Sequence, residues 1–243
     1  MTLEQTGHRL PTLVNFRDVG GLRTVDGRRL RAGRLFRGDS VQDITAEEVE
    51  TLVDELGIRY VVDLRTGEEA LQQGRGGLGR TPVNYLNIPL VDVDGPMGPP
   101  GRVLLDHYLD HLEHDPNLPV AVEAVATAVR LPTLVHCAAG KDRTGMTMLL
   151  VELLTGVTEE DARADFLRTA GNMPAIVTRL RGWQRYADNM ARLTDEIYRC
   201  EAHSVDGLLH ELAERYGTAE RWALAKGVPA ESIAQLRDRL LVD

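Results

Sequence analysis

Cysteine is scarce in this chain, whose 243 residues include only Cys137 and Cys200. Two thiols cannot form a disulfide framework, so a small secreted scaffold held together by disulfides is excluded and a reducing compartment is expected. Aromatic residues make up 5% of the chain and hydrophobic residues 43%, which suffices for one large core. We therefore predict a single domain over residues 1–243, located in the cytoplasm.

Long apolar runs and an excess of basic charge are also missing. Residues 1–11 lack the apolar core of a signal peptide, and no stretch reaches the roughly 18 apolar residues of a membrane helix. The net charge is −9 and the pI is about 5.3. Because nucleic-acid backbones attract basic surfaces, a general nucleic-acid binder is excluded. We expect neither a nucleic-acid partner nor an integral membrane segment.

What the sequence does contain is the segment HCAAGKDRTG at residues 136–145, in which a cysteine and an arginine are separated by five residues. Residues 133–135 read as the end of a buried strand, and residues 144–154 as an apolar helix that Gly156 stops. The loop between them lies at a helix N-terminus, where backbone N–H groups and the helix dipole converge on an anion. This arrangement predicts a phosphate site.

Two side chains of this loop have reactive roles in that interpretation. Cys137 faces phosphorus as a nucleophile, because a helix N-terminus and cationic neighbours favour the thiolate. Arg143 binds two phosphate oxygens with its planar guanidinium, which a lysine cannot do. Thr144 offers its hydroxyl to the sulfur, and His136 orients the loop from behind. The predicted phosphate-binding residues are Ala138, Ala139, Gly140, Lys141, Asp142 and Arg143.

Two other interpretations of the loop are weaker. A nucleotide-binding Walker loop needs glycine and Ser/Thr where this chain has Val135 and Asp142. An inert buried cysteine is the commoner fate of a single Cys, but it leaves Gly140, Arg143 and the rest of the pattern unexplained. Cys200 is expected to pack on a helix, and a disulfide between it and Cys137 is the less favoured alternative.

The loop and several other blocks resemble the bacterial tyrosine and lipid phosphatases that carry an HCxAGKDRTG loop, a group that includes secreted mycobacterial members. Matching blocks extend over nearly the whole chain. They are residues 15–21 (NFRDVGG), 26–28 (DGR), 33–37 (GRLFR), 56–58 (LGI), 62–65 (VDLR) and 236–241 (LRDRLL). Some members of the group are exported without a signal peptide, so export of this chain stays open.

The resemblance implies double displacement through a phosphocysteine, with no metal and no cofactor. The reaction needs an acid to protonate the leaving group and then a base to activate water. Asp92, which follows a segment containing Pro89, falls where the family has this group. Asp94 is the near competitor, and Asp63 and Asp142 are within reach. Basic residues of the blocks, Arg17, Arg65 and Arg37, are candidates for a positive pocket, although Arg37 is equally compatible with an ordinary surface position.

The substrate class has three interpretations. Phosphotyrosine in proteins is the first choice. Phosphoinositides, or a broad dual specificity, are the alternative, since a flexible Lys141 at the rim of the loop suits a second phosphate. A phosphate-binding pseudophosphatase is the alternative outside enzymes, and the intact Cys137, Arg143 and acid candidates argue against it.

The alternation of helical and strand patterns up to residue 155 predicts an α/β fold, a mostly parallel sheet covered by helices as in cysteine phosphatases. Capping boxes at Thr45/Glu48 and Thr158/Asp161 mark two helix starts, and a helix is predicted from Asp115-Pro116 to about Arg130. Strands are predicted at residues 58–64 and 85–88. In such a sheet the carboxyl ends of the strands bring Asp63, Arg65 and the loop after His136 to one rim.

Beyond Gly156 the pattern is helical. A segment opening at Pro174 carries one apolar stripe, which indicates either a lid over residues 158–210 or a fixed helical layer. The stripe is Ile176, Leu180, Trp183, Met190, Leu193 and Ile197.

Three further patterns suggest metal or nucleotide sites and are interpreted otherwise. His107, His111 and His114 share one helical face with spacing that suits zinc, but a solvated face is favoured. Residues 92–95 resemble part of a calcium loop, which is rejected because Val103 replaces the required glutamate. The GxGxxG at residues 74–79 follows no strand and is read as a flexible loop.

Overall fold

The structure, a computed structural model, describes residues 10–91 and 99–242 and is organised around one five-stranded sheet. Its strand order is β1-β3-β6-β4-β5, with β1 antiparallel at one edge and the other strands parallel. The strands are β1 (Arg17–Asp18), β2 (Arg29–Leu30), β3 (Leu35–Gly38), β4 (Tyr60–Asp63), β5 (Asn84–Asn87), β6 (Thr133–His136) and β7 (Leu241–Val242). The predicted fold class is confirmed.

Helices cover this sheet and continue to the C-terminal end. They are α1 (Ala46–Glu50), α2 (Gly67–Gln73), α3 (Val103–His114), α4 (Asn117–Ala128), α5 (Asp142–Leu154), α6 (Glu159–Leu167), α7 (Thr169–Leu180), α8 (Gln184–Arg192), α9 (Ala202–Tyr216), α10 (Ala219–Ala225) and α11 (Ala230–Leu240). A π-helical turn (Thr51–Glu55) extends α1, and short 3-10 helices lie at Gly76–Arg80 and Asp195–Tyr198. None of the helices in the described ranges is long and apolar enough to cross a membrane.

The central strands β3, β4 and β6 are buried almost throughout, as expected for a parallel sheet between helical layers. Because neighbouring side chains point to opposite faces, Val62 and Val135 enter one core with α4 and α5, while Val61 and Leu134 enter a second with Phe36. The first core also contains side chains from α9 to α11. The C-terminal helices are therefore part of the main hydrophobic core.

The register of the sheet places the carboxyl ends of three adjacent strands level with one another. His136 pairs with Gly38 on one side and with Asp63 on the other. The residues that follow these strands, including Asp39 and Cys137, thus lie along one rim. This confirms the predicted placement of Asp63 and the loop.

Several local predictions need correction. Thr158 caps α6 by accepting from the Asp161 N–H, but the capping box is incomplete because the Asp161 carboxylate accepts from the Arg23 N–H at 2.7 Å. Pro174 lies inside α7 rather than at the start of a helix, and the long apolar segment is divided into α7, α8 and a 3-10 turn. Most of the Gly-rich stretch, read as a flexible loop, is a 3-10 helix at Gly76–Arg80.

Candidate active site

The loop at residues 137–141 joins β6 to α5, as predicted. Cys137 is buried at the end of the strand, and its Sγ accepts the Gly140 N–H at 3.2 Å. Gly140 has φ +67°, and a Cβ there would lie 2.4 Å from the Gly38 carbonyl oxygen, so only glycine fits. The chain can therefore turn tightly around the sulfur before α5 begins.

The outer side of the loop rests on a buried group of polar side chains. Arg37 donates to the Gly140 carbonyl at 3.0 Å and to Asp165 Oδ2 at 2.7 Å, and Arg17 binds the same carboxylate at 2.8 Å. Burial alone would raise the pKa of Asp165, but the two arginines outweigh it and lower the pKa to about 2. Arg37 is thus a buried site residue, and Arg17 supports the loop from below instead of lining a pocket.

Asn15 joins this group to the loop itself. Its amide nitrogen donates to the carbonyls of Ala139 and Gly140, at 3.0 and 3.1 Å. Its Oδ1 accepts from Arg17 at 2.8 Å. We call the loop residues 137–143 together with Asn15, Arg17, Arg37 and Asp165 the floor of the site.

Arg143 lies in the first turn of α5 and is held by an acidic partner on α2. Its two terminal nitrogens contact the two Glu69 oxygens at 2.6 and 3.1 Å. The same carboxylate completes a capping box with Thr66 and accepts from the Tyr186 hydroxyl. Burial opposes ionisation of Glu69, but the charge of Arg143 prevails and lowers the pKa of Glu69 to about 2.

Lys141 is not on an accessible rim. Its side chain is 1% exposed, and its ammonium donates to the main-chain carbonyls of Ile197 and, at 2.8 Å, Arg199. It also lies 3.3 Å from Asp142 Oδ1. The expectation of a flexible charge that reaches a second phosphate is wrong for this arrangement.

His136, Asp63 and Arg65 form a second buried group beneath the loop. Arg65 binds both oxygens of Asp63, with a shortest distance of 2.6 Å, and the Tyr85 hydroxyl donates to Oδ2 of the same residue at 2.7 Å. The His136 Nδ1 lies 3.2 Å from the Cys137 carbonyl oxygen, and its Nε2 lies 3.7 Å from Asp63. Burial opposes ionisation of Asp63, but His136 and Arg65 lower its pKa to about 2. Through these contacts Asp63 and Arg65 stabilise the carboxyl end of the sheet beneath the loop, and neither residue lines the pocket.

Two neighbouring residues of α5 differ in their contacts. Asp142 accepts from the Tyr108 hydroxyl at 2.8 Å and also lines the pocket. The Thr144 hydroxyl is buried and has no hydrogen-bond partner within the described residues, so its expected bond to the cysteine sulfur is not formed.

A pocket of about 530 Å³, including space open to solvent, lies above the loop. Its lower part is formed by Cys137, Ala138, Ala139, Lys141, Asp142 and Arg143. Its upper part comes from α7, α8 and the 3-10 turn, through Met173, Leu180, Tyr186, Asn189, Leu193, Ile197 and Tyr198. We call residues 169–199 the cover. With the cover in place, Cys137 is 2% exposed and Arg143 4%.

Asp92 and Asp94, the two leading acid candidates, lie outside the described residues. The chain just before them is anchored to the start of α4. The Val91 N–H donates to Asp115 at 3.2 Å, and Asn117 donates to the Pro89 carbonyl at 2.8 Å. These contacts hold Pro89 and Val91 beside the start of α4.

The predicted solvated histidine face is wrong for two of its three members. His107 and His111 are buried on α3, and only His114 is exposed. Burial, helped by the nearby His111, lowers the pKa of His107 to about 3. Within residues 10–91 and 99–242, no three metal-binding side chains are grouped closely enough to hold an ion.

Cys200 is half-buried beside the cover, and neither cysteine is in a disulfide. Its Sγ lies 3.8 Å from the Phe166 carbonyl oxygen, and burial raises the pKa of the thiol to about 11. The expected packing of Cys200 against a helix is found.

Four polar side chains that organise this site were not predicted from the sequence: Asn15, Glu69, Asp165 and Tyr186. The Thr66/Glu69 capping box was visible as a sequence signal for α2, and Asn15 lies in the NFRD block. Nothing in the sequence pairs Glu69 with Arg143 or Asp165 with Arg37.

Comparison with known proteins gives a consistent result. The sequence model of the tyrosine phosphatase family matches residues 8–242. The triple specificity protein phosphatase PtpB of Mycobacterium tuberculosis is 28% identical over an alignment that covers 96% of this chain and 98% of that protein. A Cupriavidus necator protein, named as a tyrosine-protein phosphatase, is 34% identical over 65% of this chain and 61% of its own length.

Among solved structures, the core catalytic domain of the Saccharomyces cerevisiae PP-IP phosphatase SIW14 aligns with 71% of this chain and 93% of its own. The identity is 18% and the TM-score is 0.40.

Proposed function

The chain belongs to the tyrosine phosphatase family, and we propose that Cys137, Arg143 and Asp92 carry out its reaction. The activity is hydrolysis of phosphate monoesters, above all of phosphotyrosine in proteins, through a phosphocysteine. The observation that supports this assignment best is the loop itself, in which the Gly140 N–H points at the cysteine sulfur and Arg143 lines the same pocket at a helix N-terminus.

In the first step, the Cys137 sulfur attacks phosphorus. An S–P bond forms while the bond from phosphorus to the ester oxygen breaks, and Asp92 protonates the departing oxygen. In the second step, Asp92 takes a proton from water, the water oxygen attacks phosphorus, and the S–P bond breaks to release inorganic phosphate. The loop amides and the guanidinium of Arg143 stabilise the charge on the equatorial oxygens in both steps.

Glu69 fits this scheme as the residue that fixes Arg143. Two contacts between the carboxylate and the guanidinium hold its plane, so that less freedom is lost when phosphate binds. The orphaned Thr144 hydroxyl is available to the sulfur or to a phosphate oxygen once substrate enters. His136, Asp63, Arg65 and Arg17 act by supporting the loop.

We also propose one phosphatase domain over residues 1–243 in which the cover acts as a lid. Its extent is narrower than residues 158–210, because α6 packs on α5 through Phe166 and α9 packs in the main core through Leu208. A nucleophile that is 2% exposed cannot meet a protein substrate, so the cover must move before turnover.

Phosphotyrosine suits the pocket better than a phosphoinositide does. Apart from Tyr186, Asn189 and Tyr198, the cover contributes Met173, Leu180, Leu193 and Ile197 to the walls, and such apolar surfaces accommodate an aromatic ring. The cations that line the described pocket are Lys141 and Arg143, and both are held by protein groups. Two free thiols, one of them the nucleophile, favour the reducing cytoplasm.

The decisive experiment compares wild type with Cys137→Ser on a phosphotyrosyl peptide, a phosphoseryl peptide and a phosphoinositide. We expect the variant to fold and to bind inorganic phosphate but to lose turnover, and rapid mixing of wild type to trap phosphocysteine. Near-wild-type rates for the serine variant would refute the covalent route. Activity abolished by a chelator would refute a metal-free reaction.

The same substrate panel identifies the acid. Asp92→Ala should slow the phosphoseryl peptide much more than an activated aryl phosphate, because a poor leaving group depends most on protonation, by about 10²- to 10⁴-fold. If Asp94→Ala gives that pattern and Asp92→Ala does not, the roles of the two carboxylates are exchanged.

A further inference from the structure

Three consecutive carbonyl oxygens of the loop, those of Ala138, Ala139 and Gly140, accept hydrogen bonds from residues outside it. The Ala138 oxygen accepts from the Ser40 N–H at 3.1 Å, and the Ala139 oxygen from Asn15 at 3.0 Å. The Gly140 oxygen accepts from Asn15 at 3.1 Å and from Arg37 at 3.0 Å. Three consecutive peptide groups are thus held by donors that belong to the body of the protein.

These contacts determine where the loop N–H groups point. A peptide group is planar and trans, so the N–H of one residue points opposite to the carbonyl of the residue before it. Holding the carbonyls of Ala139 and Gly140 outward therefore turns the N–H groups of Gly140 and Lys141 inward. The Gly140 N–H is indeed directed at the Cys137 sulfur, at 3.2 Å.

Asn15 is the residue with the most complete set of bonds in this arrangement. It is fully buried, and its two amide hydrogens serve the two loop carbonyls. Its Oδ1 accepts from Arg17 at 2.8 Å and from Asn172 at 3.1 Å. An asparagine side chain can make four hydrogen bonds, and this one makes all four, so its amide cannot rotate without losing them.

We propose that Asn15 is a positioning residue for the phosphate site, one that aims the loop N–H groups at the transferred phosphoryl group. It touches neither substrate nor sulfur and acts through the carbonyls of Ala139 and Gly140. This role rests on the proposed function, because the amides matter for rate only if Cys137 reacts with phosphate at this loop. Arg37 supports one of the same carbonyls, so loss of Asn15 misdirects the loop without removing all of its support.

The substitution Asn15→Asp tests the proposal with almost no change in shape. A carboxylate has no hydrogen to donate, so the oxygen that replaces the amide nitrogen would face both loop carbonyl oxygens, while the other oxygen keeps the contacts to Arg17 and Asn172. We expect kcat on a phosphotyrosyl peptide to fall by about 10- to 100-fold, because misplaced N–H groups cost most in the transition state. KM should change much less, and the affinity for vanadate, a transition-state mimic, should fall in parallel with kcat.

Asn84→Asp is the matched control. The Asn84 amide also donates to a main-chain carbonyl, that of Arg59 at 3.1 Å, but at the opposite end of the sheet. If this variant loses as much kcat as Asn15→Asp, or if Asn15→Asp keeps wild-type kcat and vanadate affinity, the proposal is wrong.

Where Asn15→Asp does not fold, Asn172→Ala takes its place. It removes one donor to Asn15 Oδ1 and leaves both loop bonds, so a smaller drop in kcat, of about two- to fivefold, is expected for the loss of one supporting bond. Unchanged kcat and vanadate affinity in a folded Asn172→Ala would count against Asn15. Activity in Cys137→Ser, by contrast, would overturn the proposed function itself and not only this role.

Discussion

The floor and the cover of the pocket are held in different ways. Beneath the loop, Arg17, Arg37 and Asp165 have side chains between 0 and 5% exposed, and both guanidinium groups bind the Asp165 carboxylate. Above it, the cover is joined by the Tyr186 hydroxyl and by the Lys141 ammonium. Two ion pairs also join it: Arg179 with Asp39, whose side chains are 16 and 0% exposed, and Arg185 with Glu68, whose side chains are 32 and 63% exposed. Breaking a buried pair costs about 3–5 kcal/mol, whereas an exposed pair contributes about 0–1 kcal/mol.

This difference indicates that the floor and the cover have separate roles. We expect the buried bonds of the floor to preorganise the proposed phosphate site. The cover is joined in part through groups of the site itself, since Tyr186 binds Glu69, the partner of Arg143. We expect a phosphate that enters the proposed site to compete for the same charges and thereby to couple binding to opening of the cover. Damage to the floor should lower kcat, and damage to the cover should change access to Cys137.

Gly140→Ala should produce the largest change in the floor. A Cβ at this position would lie 2.4 Å from the Gly38 carbonyl, which is backbone that cannot move aside. We expect kcat to fall by about 100-fold or more, because a displacement of about 1 Å in a preorganised site has that effect. Steady-state kinetics on a phosphotyrosyl peptide measures it.

Gly33→Ala separates crowding from backbone strain in that experiment. Gly33 has φ +71°, close to the +67° of Gly140, but a Cβ there meets nothing within 4 Å. It should lower the melting temperature through the strain of about 1–2 kcal/mol for a left-handed residue while leaving kcat unchanged. Equal kcat losses in the two variants would mean that the close approach to Gly38 is irrelevant.

Tyr186→Phe is the corresponding change in the cover. It removes the hydroxyl that donates to Glu69 and keeps the ring in the pocket wall. A hydrogen bond to a charged group contributes about 1.5–3 kcal/mol, part of which water replaces when the cover opens. We expect alkylation of Cys137 by iodoacetamide to become about fivefold faster, with kcat changed by less than about threefold.

Tyr216→Phe serves as its control, since the Tyr216 hydroxyl also donates to a carboxylate, Glu113, at 2.8 Å but away from the pocket. Alkylation of that variant should match wild type. A Tyr186→Phe protein that is alkylated no faster than wild type would show that this bond does not hold the cover.

The sequence predicted the parts of this comparison that depend on local pattern. The cysteine loop, the strand before it and the helix after it are continuous in the chain, so their order fixes the position of Cys137 and Arg143. The sheet rim followed from the rule that parallel strands align their carboxyl ends. The roles assigned to these residues remain predictions.

The side chains that contact the loop and Arg143 could not be predicted from the local sequence pattern. Glu69 lies 74 residues before Arg143, and Asp165 lies 128 residues after Arg37. An acidic residue on an amphipathic helix has the same local signature whether it faces solvent or a buried arginine. The prediction that the histidine face of α3 is solvated was wrong for the same reason. The face looks polar in sequence, but neighbouring elements bury His107 and His111.

The smallest expected effect concerns Asp39, which joins the floor to the cover. Its Oδ1 accepts the Asn15 N–H at 3.2 Å, and its Oδ2 lies 2.7 Å from Arg179 on α7. Burial raises the pKa of Asp39 to about 6, against the opposing pull of Arg179. The folded protein thus keeps this proton to a higher pH than the unfolded chain does, whose carboxyl titrates near 4.

The sign of the pH effect follows from that difference. The stabilising contribution of Asp39 is fully present below about pH 4 and is lost as the pH rises to about 6, with a slope of up to about 1.4 kcal/mol per pH unit. Buried histidines such as His107 act in the opposite direction, so total stability does not isolate Asp39. The measurement is therefore the free energy of unfolding in urea, compared between wild type and Asp39→Asn. The difference, wild type minus variant, should fall between pH 4 and 6 and stay level above pH 7, because the contribution of the histidines is the same in both proteins. If the unfolding free energies of wild type and Asp39→Asn changed in parallel between pH 4 and 6, Asp39 would already be ionised at pH 4. The attraction of Arg179 for the Asp39 carboxylate would then outweigh the effect of burial, and the cover would be bound to the floor by an ion pair.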